Sequence, residues 1–395
     1  MMTDWVIREH FSILADQLDS LPFNSLRAAR AKANLKALAL NVSAAHQLFG
    51  RLLTDAESAG ETAAAALLAM EIGDAEFVAN ATAALPDDAE QWEGIRRGLR
   101  LAAIGPLVEV LQQRLSGSRS RCRTALLDIL SFHRLPIAVE HSWLTRHADD
   151  ELFLTTITAL SRSGDVHDRN IVAQAAQASA GGDAIEVLRA AARAGVAPLK
   201  VCRMRSVGDP PCLNSVRFLG VIGDESDHGL LRQLASREAT ASAATDAIGI
   251  LGAAELLPDI IDAVSNPVTS QAAARALERI SGTSVPRGDP PEPPEHLTED
   301  ERDFWHQPGE PLPDAVRLWW NRAQWSFDPG QRYQAGICVS DHPPDSVFDK
   351  LPDEIRRDVY LRQRARDFDN TPDRELETWP ELHRTPKWAT LPAAL

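Results

Sequence analysis

Seven glycines, Gly73, Gly105, Gly164, Gly195, Gly223, Gly252 and Gly282, recur along a 395-residue chain at intervals of 32, 59, 31, 28, 29 and 30 residues. Before five of them an Ala-, Ile- or Leu-rich segment runs almost to the glycine: "LLAMEIG", "LRLAAIG", "LGVIG", "AIGILG" and "ALERISG". A glycine there fits a helix C-cap, because the residue after the last turn often needs φ > 0, which costs least without a Cβ. The interval of 59 spans two beats. Its missing beat falls near "FHRLP" (132–136), where Pro136 is expected to end the helix instead.

One unit, Asp224 to Gly252, shows what repeats. "DESD" carries helix-capping chemistry, and "HGLLRQLAS" puts Leu230, Leu231 and Leu234 on one helical face. After "REAT", the segment "ASAATDAIGILG" spaces Ala243, Ala244, Ala247, Ile248 and Leu251 at helical intervals. Two helices of about ten residues are marginal alone in water, and one pair cannot cover its own apolar face. Stacking pairs solves both problems. The expectation is an all-α chain, an α-solenoid of short helix pairs, in keeping with 44% hydrophobic residues rich in alanine and only 6% aromatics. The period resembles short bacterial HEAT repeats, which also occur in phycobilin-lyase-like proteins.

The ends differ. In "WVIREHFSILADQLDSL" Ile7, Phe11, Leu14, Leu18 and Leu21 share helical spacing, so residues 1–50 are expected to form an N-terminal helical cap, with the repeats over 51–284. Residues 285–303, "VPRGDPPEPPEHLTEDERD", hold five prolines and, from Asp289, seven acids against one arginine, the composition of an extended solvated linker. Residues 304–395 contain six of the nine tryptophans, Trp305, Trp319, Trp320, Trp325, Trp379 and Trp388, and form a Trp-rich C-terminal module in this reading. Within it "LPDAVRLWW" reads as a short helix, "FDPGQRY" as a turn leading to an extended segment, and "DEIRRDVYLRQRARDF" as an arginine-rich helix. That helix is expected to pair with the acidic linker or an outside ligand. The final "WPELHRTPKWATLPAAL" reads as a proline-broken arm.

Nothing announces chemistry. The chain lacks GxxxxGK[ST], GxGxxG, HExxH and GxSxG. Among the histidines His133, His141, His147 and His167 lie nearest together, but 141 and 147 do not share a helical face, so surface or turn roles outweigh a metal site. The acidic pairs Asp87-Asp88 and Asp149-Asp150 stand where helices begin and read as caps. Cys122, Cys202, Cys212 and Cys338 are scattered without CxxC, as buried or inert thiols of a reducing compartment would be. With no basic and apolar leader and no run near 18 apolar residues, the expectation is a cytoplasmic protein away from membranes. A net charge of −15 argues against nucleic acid.

Two features are candidates for binding another protein. "RRGLR" (Arg96, Arg97, Arg100) and "RSRCR" (Arg119, Arg121, Arg123) are either solvated helix ends or a basic strip for an acidic partner. The tail aromatics Trp319, Trp320 and Trp325, with Arg332 and Tyr333, either pack on the last repeat or form a partner surface, since tryptophan and tyrosine are favoured at binding hot spots.

The chain also resembles a family of bacterial HEAT-repeat proteins often encoded beside type VI secretion components. "AAHQLFGRLL" (44–53) looks like that family's early Ala-His…Leu-x-Gly-Leu helix, and "GETAAAALLAMEIGD" (60–74) like its Gly-Glu-plus-alanine segment. "WWNRAQWSFDPGQRYQAGICVS" (319–340) looks like its tail motif, matched at Trp319, Trp320, Phe327, Gly330, Arg332, Tyr333 and Gly336. The sequence departs where an alanine-rich last helix would stand, carrying "RRDVYLRQRARDF" instead. The family has no established catalysis, so the resemblance implies fold and neighbourhood. The expected function is a non-enzymatic protein-binding scaffold without cofactor, with an adaptor or chaperone role for a type VI effector implied by that neighbourhood. The alternatives are an immunity protein occluding a basic toxin, and, in another class, a HEAT-like bilin lyase or DNA glycosylase.

Overall fold

The computed structural model describes residues 4–19, 25–42, 53, 56, 58–145, 150–179, 184–196, 198–294, 296, 298, 302, 307–340 and 343–371. Trp305, Trp379, Trp388, His147, most of the "AAHQLFGRLL" segment and the final arm lie outside the described residues. The chain is mostly helical, and its described residues divide into two compact units, 4–172 with 369–371, and 173–368.

In the first unit α1 (Asp4–Asp19) packs on α2 (Ser25–Ala39) and α3 (Ala59–Glu71). Then α3 packs on α5 (Gln91–Leu101), α5 on α7 (Ser120–Phe132), and α7 on α8 (Asp150–Ser163). Between them α4 (Ala75–Ala84) and α6 (Val108–Gly117) lean on α3 and α7. The buried side chains are small: Ala63 to Ala66 and Ala69 on α3 are inaccessible to solvent. Alanine lets neighbouring helices approach closely while still withdrawing apolar surface from water.

The helix α9 (Val166–Ala178) follows in the chain. The second unit continues with α10 (Ala184–Arg193), α11 (Leu199–Ser206), α12 (Leu213–Ile222), α13 (His228–Ala235), α14 (Ala241–Leu251), α15 (Leu257–Ala263) and α16 (Ser270–Ser281). The second helices of successive pairs form a row: α10 packs on α12, α12 on α14 and α14 on α16, while α11, α13 and α15 each pack on the helix that follows. The unit singled out in the sequence is such a pair. Leu231, Leu234, Ala243, Ala244, Ala247, Ile248 and Leu251 are all buried, with Leu230 half-buried. Asp224 caps the entry, its carboxylate accepting from the Ser226 N–H at 2.8 Å, while Asp227 accepts from the Asp224 N–H at 3.0 Å. Row contacts are close enough to exclude side chains. A Cβ added at Gly220 would stand 2.4 Å from Ala247 O, and one at Gly249 would stand 2.6 Å from Ala276 Cα.

The glycine beat has a conformational basis at five positions. Gly73, Gly164, Gly195, Gly252 and Gly282 have φ between +66° and +82°. Gly105 instead opens a 3-10 turn, and Gly223 stays extended at φ −65°. At the missing beat the helix end is not left to Pro136. Arg134 takes φ +58°, and the N–H groups of Arg134 and Leu135 donate to Ser131 O and Leu130 O, the paired bonds of a Schellman end.

The rest of the second unit is α17 (Pro313–Ala323), an antiparallel pair of short strands, β1 (Tyr333–Gln334) and β2 (Ile337–Cys338), α18 (Asp345–Phe348) and α19 (Asp353–Arg366). The opening of the proline-rich stretch is held in place: Arg287 bridges Pro311 in an antiparallel contact and pairs with Glu278 at 3.2 Å.

Candidate binding surface

The arginines of α5 are engaged with their own chain. Arg97 meets Asp19 at 3.0 Å and Glu93 at 2.8 Å; Arg96 meets Glu93 at 2.7 Å. Arg100 lies over the Phe132 ring, 4.7 Å from its centroid, and 3.5 Å from Asp128, which also receives Arg162 at 2.6 Å and Arg96 at 3.8 Å. Burial alone would raise the pKa of Asp128, but the charges of Arg100, Arg162 and Arg96 outweigh it and hold the carboxyl at about 2. This cluster ties α5, α7 and α8 together. In "RSRCR", Arg123 stacks over Trp143 at 5.1 Å, whereas Arg121 is half-exposed, 3.7 Å from Glu90.

The tail motif is built against helix ends. The rings of Trp319 and Trp320, Trp320 and Phe327, and Phe327 and Tyr333 follow at 6.3, 6.0 and 5.0 Å. Tyr333 is buried and its hydroxyl accepts from the Asp328 N–H at 3.0 Å. The strand pair then lies on the last turns of α14 and α16. Tyr333 N–H donates to Gly252 O at 2.8 Å, and Ala335 and Gly336 N–H donate to Arg279 O and Ile280 O at 2.6 and 2.8 Å. Arg332 reaches Gly223 O at 3.5 Å. Of the nominated tail residues Trp325 alone is strongly exposed, at 84%.

The arginine-rich α19 continues this capping, with Arg362, Arg364 and Arg366 each donating to a carbonyl of the helical row. Arg362, 4% exposed, donates to Val221 O and Gly220 O at 2.7 Å and to Ile250 O at 3.3 Å. Arg364 donates to Arg193 O at 3.0 Å and Arg366 to Gly223 O at 2.9 Å. The last carbonyls of a helix lack intrahelical partners and carry the negative end of its dipole, so guanidinium groups suit them. This also accounts for Gly223: with three arginines serving the end of α12, no left-handed cap forms there.

An uncapped face remains on the row. Arg217 on α12, Asp246 on α14 and Arg275 on α16 follow at intervals of 29 residues and make one ladder. Asp246 receives Arg275 at 2.9 Å and Arg217 at 3.6 Å. The aspartate side chain is 16% exposed, the arginines 44% and 56%. The ladder borders a cavity of about 440 Å³ whose apolar lining is Ile250 and Ala276, with Pro352, Glu354 and Ile355 on its other side. Arg279 lies at its edge, bound to Asp358 at 2.7 Å. A second hollow, of about 420 Å³, lies in the first unit among the first turns of α3, α5 and α7. There Glu90, Glu93 and Glu151 outnumber Arg96 and Arg121, and Arg96 is committed to Glu93.

Among the described residues no three His, Cys, Asp or Glu side chains gather as a metal site requires, and no helix is long and apolar enough to cross a membrane. No family model, curated protein or solved structure matches the chain.

Proposed function

We propose that this is a non-catalytic, protein-binding scaffold whose helix pairs are HEAT-like repeats, working in the cytoplasm. The observation that carries the reading is the registered face of the second helices, where exposed charge borders an apolar-floored groove. Mixed charge around a partly apolar hollow is the usual make-up of a protein-binding surface. The Trp-rich tail is an accessory module in this reading: its motif finishes helix ends, and it leaves Trp325 outward as a second point of grip. The adaptor or chaperone role in type VI effector delivery rests on the family resemblance.

The test is capture of partners from the native host by the intact chain and by the charge-reversed Arg217→Glu/Arg275→Glu variant, with mass spectrometry of what is retained. Specific proteins lost with the variant support the reading. Recovery of nucleic acid or a small chromophore alone defeats it.

A further inference from the structure

The scaffold reading leaves the chemistry of the partner open, and the ladder narrows it. Two half-exposed guanidiniums, Arg217 and Arg275, share the single carboxylate of Asp246. Each guanidinium has five N–H donors in a fixed fork, and one carboxylate cannot serve both forks. Asp246 is the more buried of the three, so the surface shows mainly cation. Next to this rung lies an apolar floor, Ile250 and Ala276, and beyond it Glu354, 74% exposed and 4.0 Å from Arg279, a guanidinium that Asp358 already holds at 2.7 Å.

We infer that the groove takes an acidic peptide segment of the partner, with an Asp or Glu forked onto Arg217 and Arg275 and a neighbouring apolar side chain on the Ile250–Ala276 floor. Bidentate guanidinium–carboxylate pairing supplies geometry as well as attraction. Glu354 sets the direction, since a second carboxylate at that end would meet like charge. The same residue disfavours a phosphate backbone, whose negative charges repeat along its whole length. This inference rests on the scaffold reading, and it can fail while that reading stands.

The experiment pans a phage library of random 12-residue peptides on the intact chain, then measures a selected peptide by fluorescence anisotropy. Acidic peptides with an adjacent Leu, Ile or Phe should be enriched. They should bind Arg217→Glu/Arg275→Glu at least ~10-fold more weakly. Against Asp246→Asn, which frees both forks while keeping the side-chain shape, binding should tighten about fivefold, the worth of one good surface ion pair. Enrichment of basic or uncharged peptides, no enrichment, or equal binding by both variants and wild type overturns the inference. In each of those cases host proteins captured by wild type and lost by the charge-reversed variant would still uphold the scaffold.

Discussion

Replacing Arg362 by Met tests whether α19 is part of the helical row's own hydrogen bonding. Methionine keeps most of the apolar stem and removes every donor. The bonds to Gly220 O, Val221 O and Ile250 O disappear with it. Ile250 O keeps the Gln334 amide at 2.8 Å, so two carbonyls at the end of α12 are newly left without that donor. An orphaned buried acceptor costs about 1–3 kcal/mol, which gives a loss of about 2–6 kcal/mol. The lower part of that range is the better expectation, because the desolvation of a buried guanidinium is relieved at the same time. Urea unfolding, with hydrogen exchange read over residues 213–224, should show lowered stability concentrated at the α12 end. A variant within ~0.5 kcal/mol of wild type, with unchanged exchange there, would refute the capping argument.

Asp128→Asn should destabilise the first unit by about 3–5 kcal/mol, as expected when a buried ion cluster loses its anion; thermal melts of the variant check this. The Asp128 carboxyl titrates at about 2 when folded against about 3.9 unfolded. Its contribution is therefore full above roughly pH 4 and is lost as pH falls through about 2, an acid transition that Asp128→Asn should lack. With a chromogenic disulfide reagent, exposed Cys338 should react in the native protein. Cys122 and Cys202, whose burial lifts their thiols to about 11 and about 12, should react only on unfolding. Gly249→Ala gains about 1 kcal/mol of helix propensity, yet its methyl falls 2.6 Å from Ala276 Cα, so the melting temperature should drop; a rise would show that the row can spread apart.

Much of the helical pairing was legible because it is local. Capping at Asp224 and the apolar spacing through Leu251 lie within one short stretch, and the glycine beat marks helix ends wherever a left-handed residue is needed. Arg134 escaped that reading because it adopts a conformation its type rarely takes, with no sequence mark. Gly223 misled for the opposite reason, since its helix end is served by Arg332, Arg362 and Arg366, more than a hundred residues away along the chain. The arginine-rich helix was visible, but its targets are backbone carbonyls, which every residue has and no pattern singles out. The basic strip on α5 was visible too, while its counter-charges Asp19 and Asp128 come from other helices. The ladder stands in the sequence as a 29-residue spacing of one aspartate and two arginines, common residue types that only the folded row makes neighbours.

The paired glycines at 220 and 249 fix what kinds of length change the row tolerates. Each residue turns a helix by about 100°, so an insertion of a whole 29-residue unit would return a hydrogen-sized side chain to the seam and a charge to the rung. One extra residue inside the helix itself would swing a bulkier group into backbone contact and point the rung away from its neighbours. Changes of length are thereby pushed out of the seam helices and into the turns between them, which is where the unequal intervals of 28 to 32 residues are taken up.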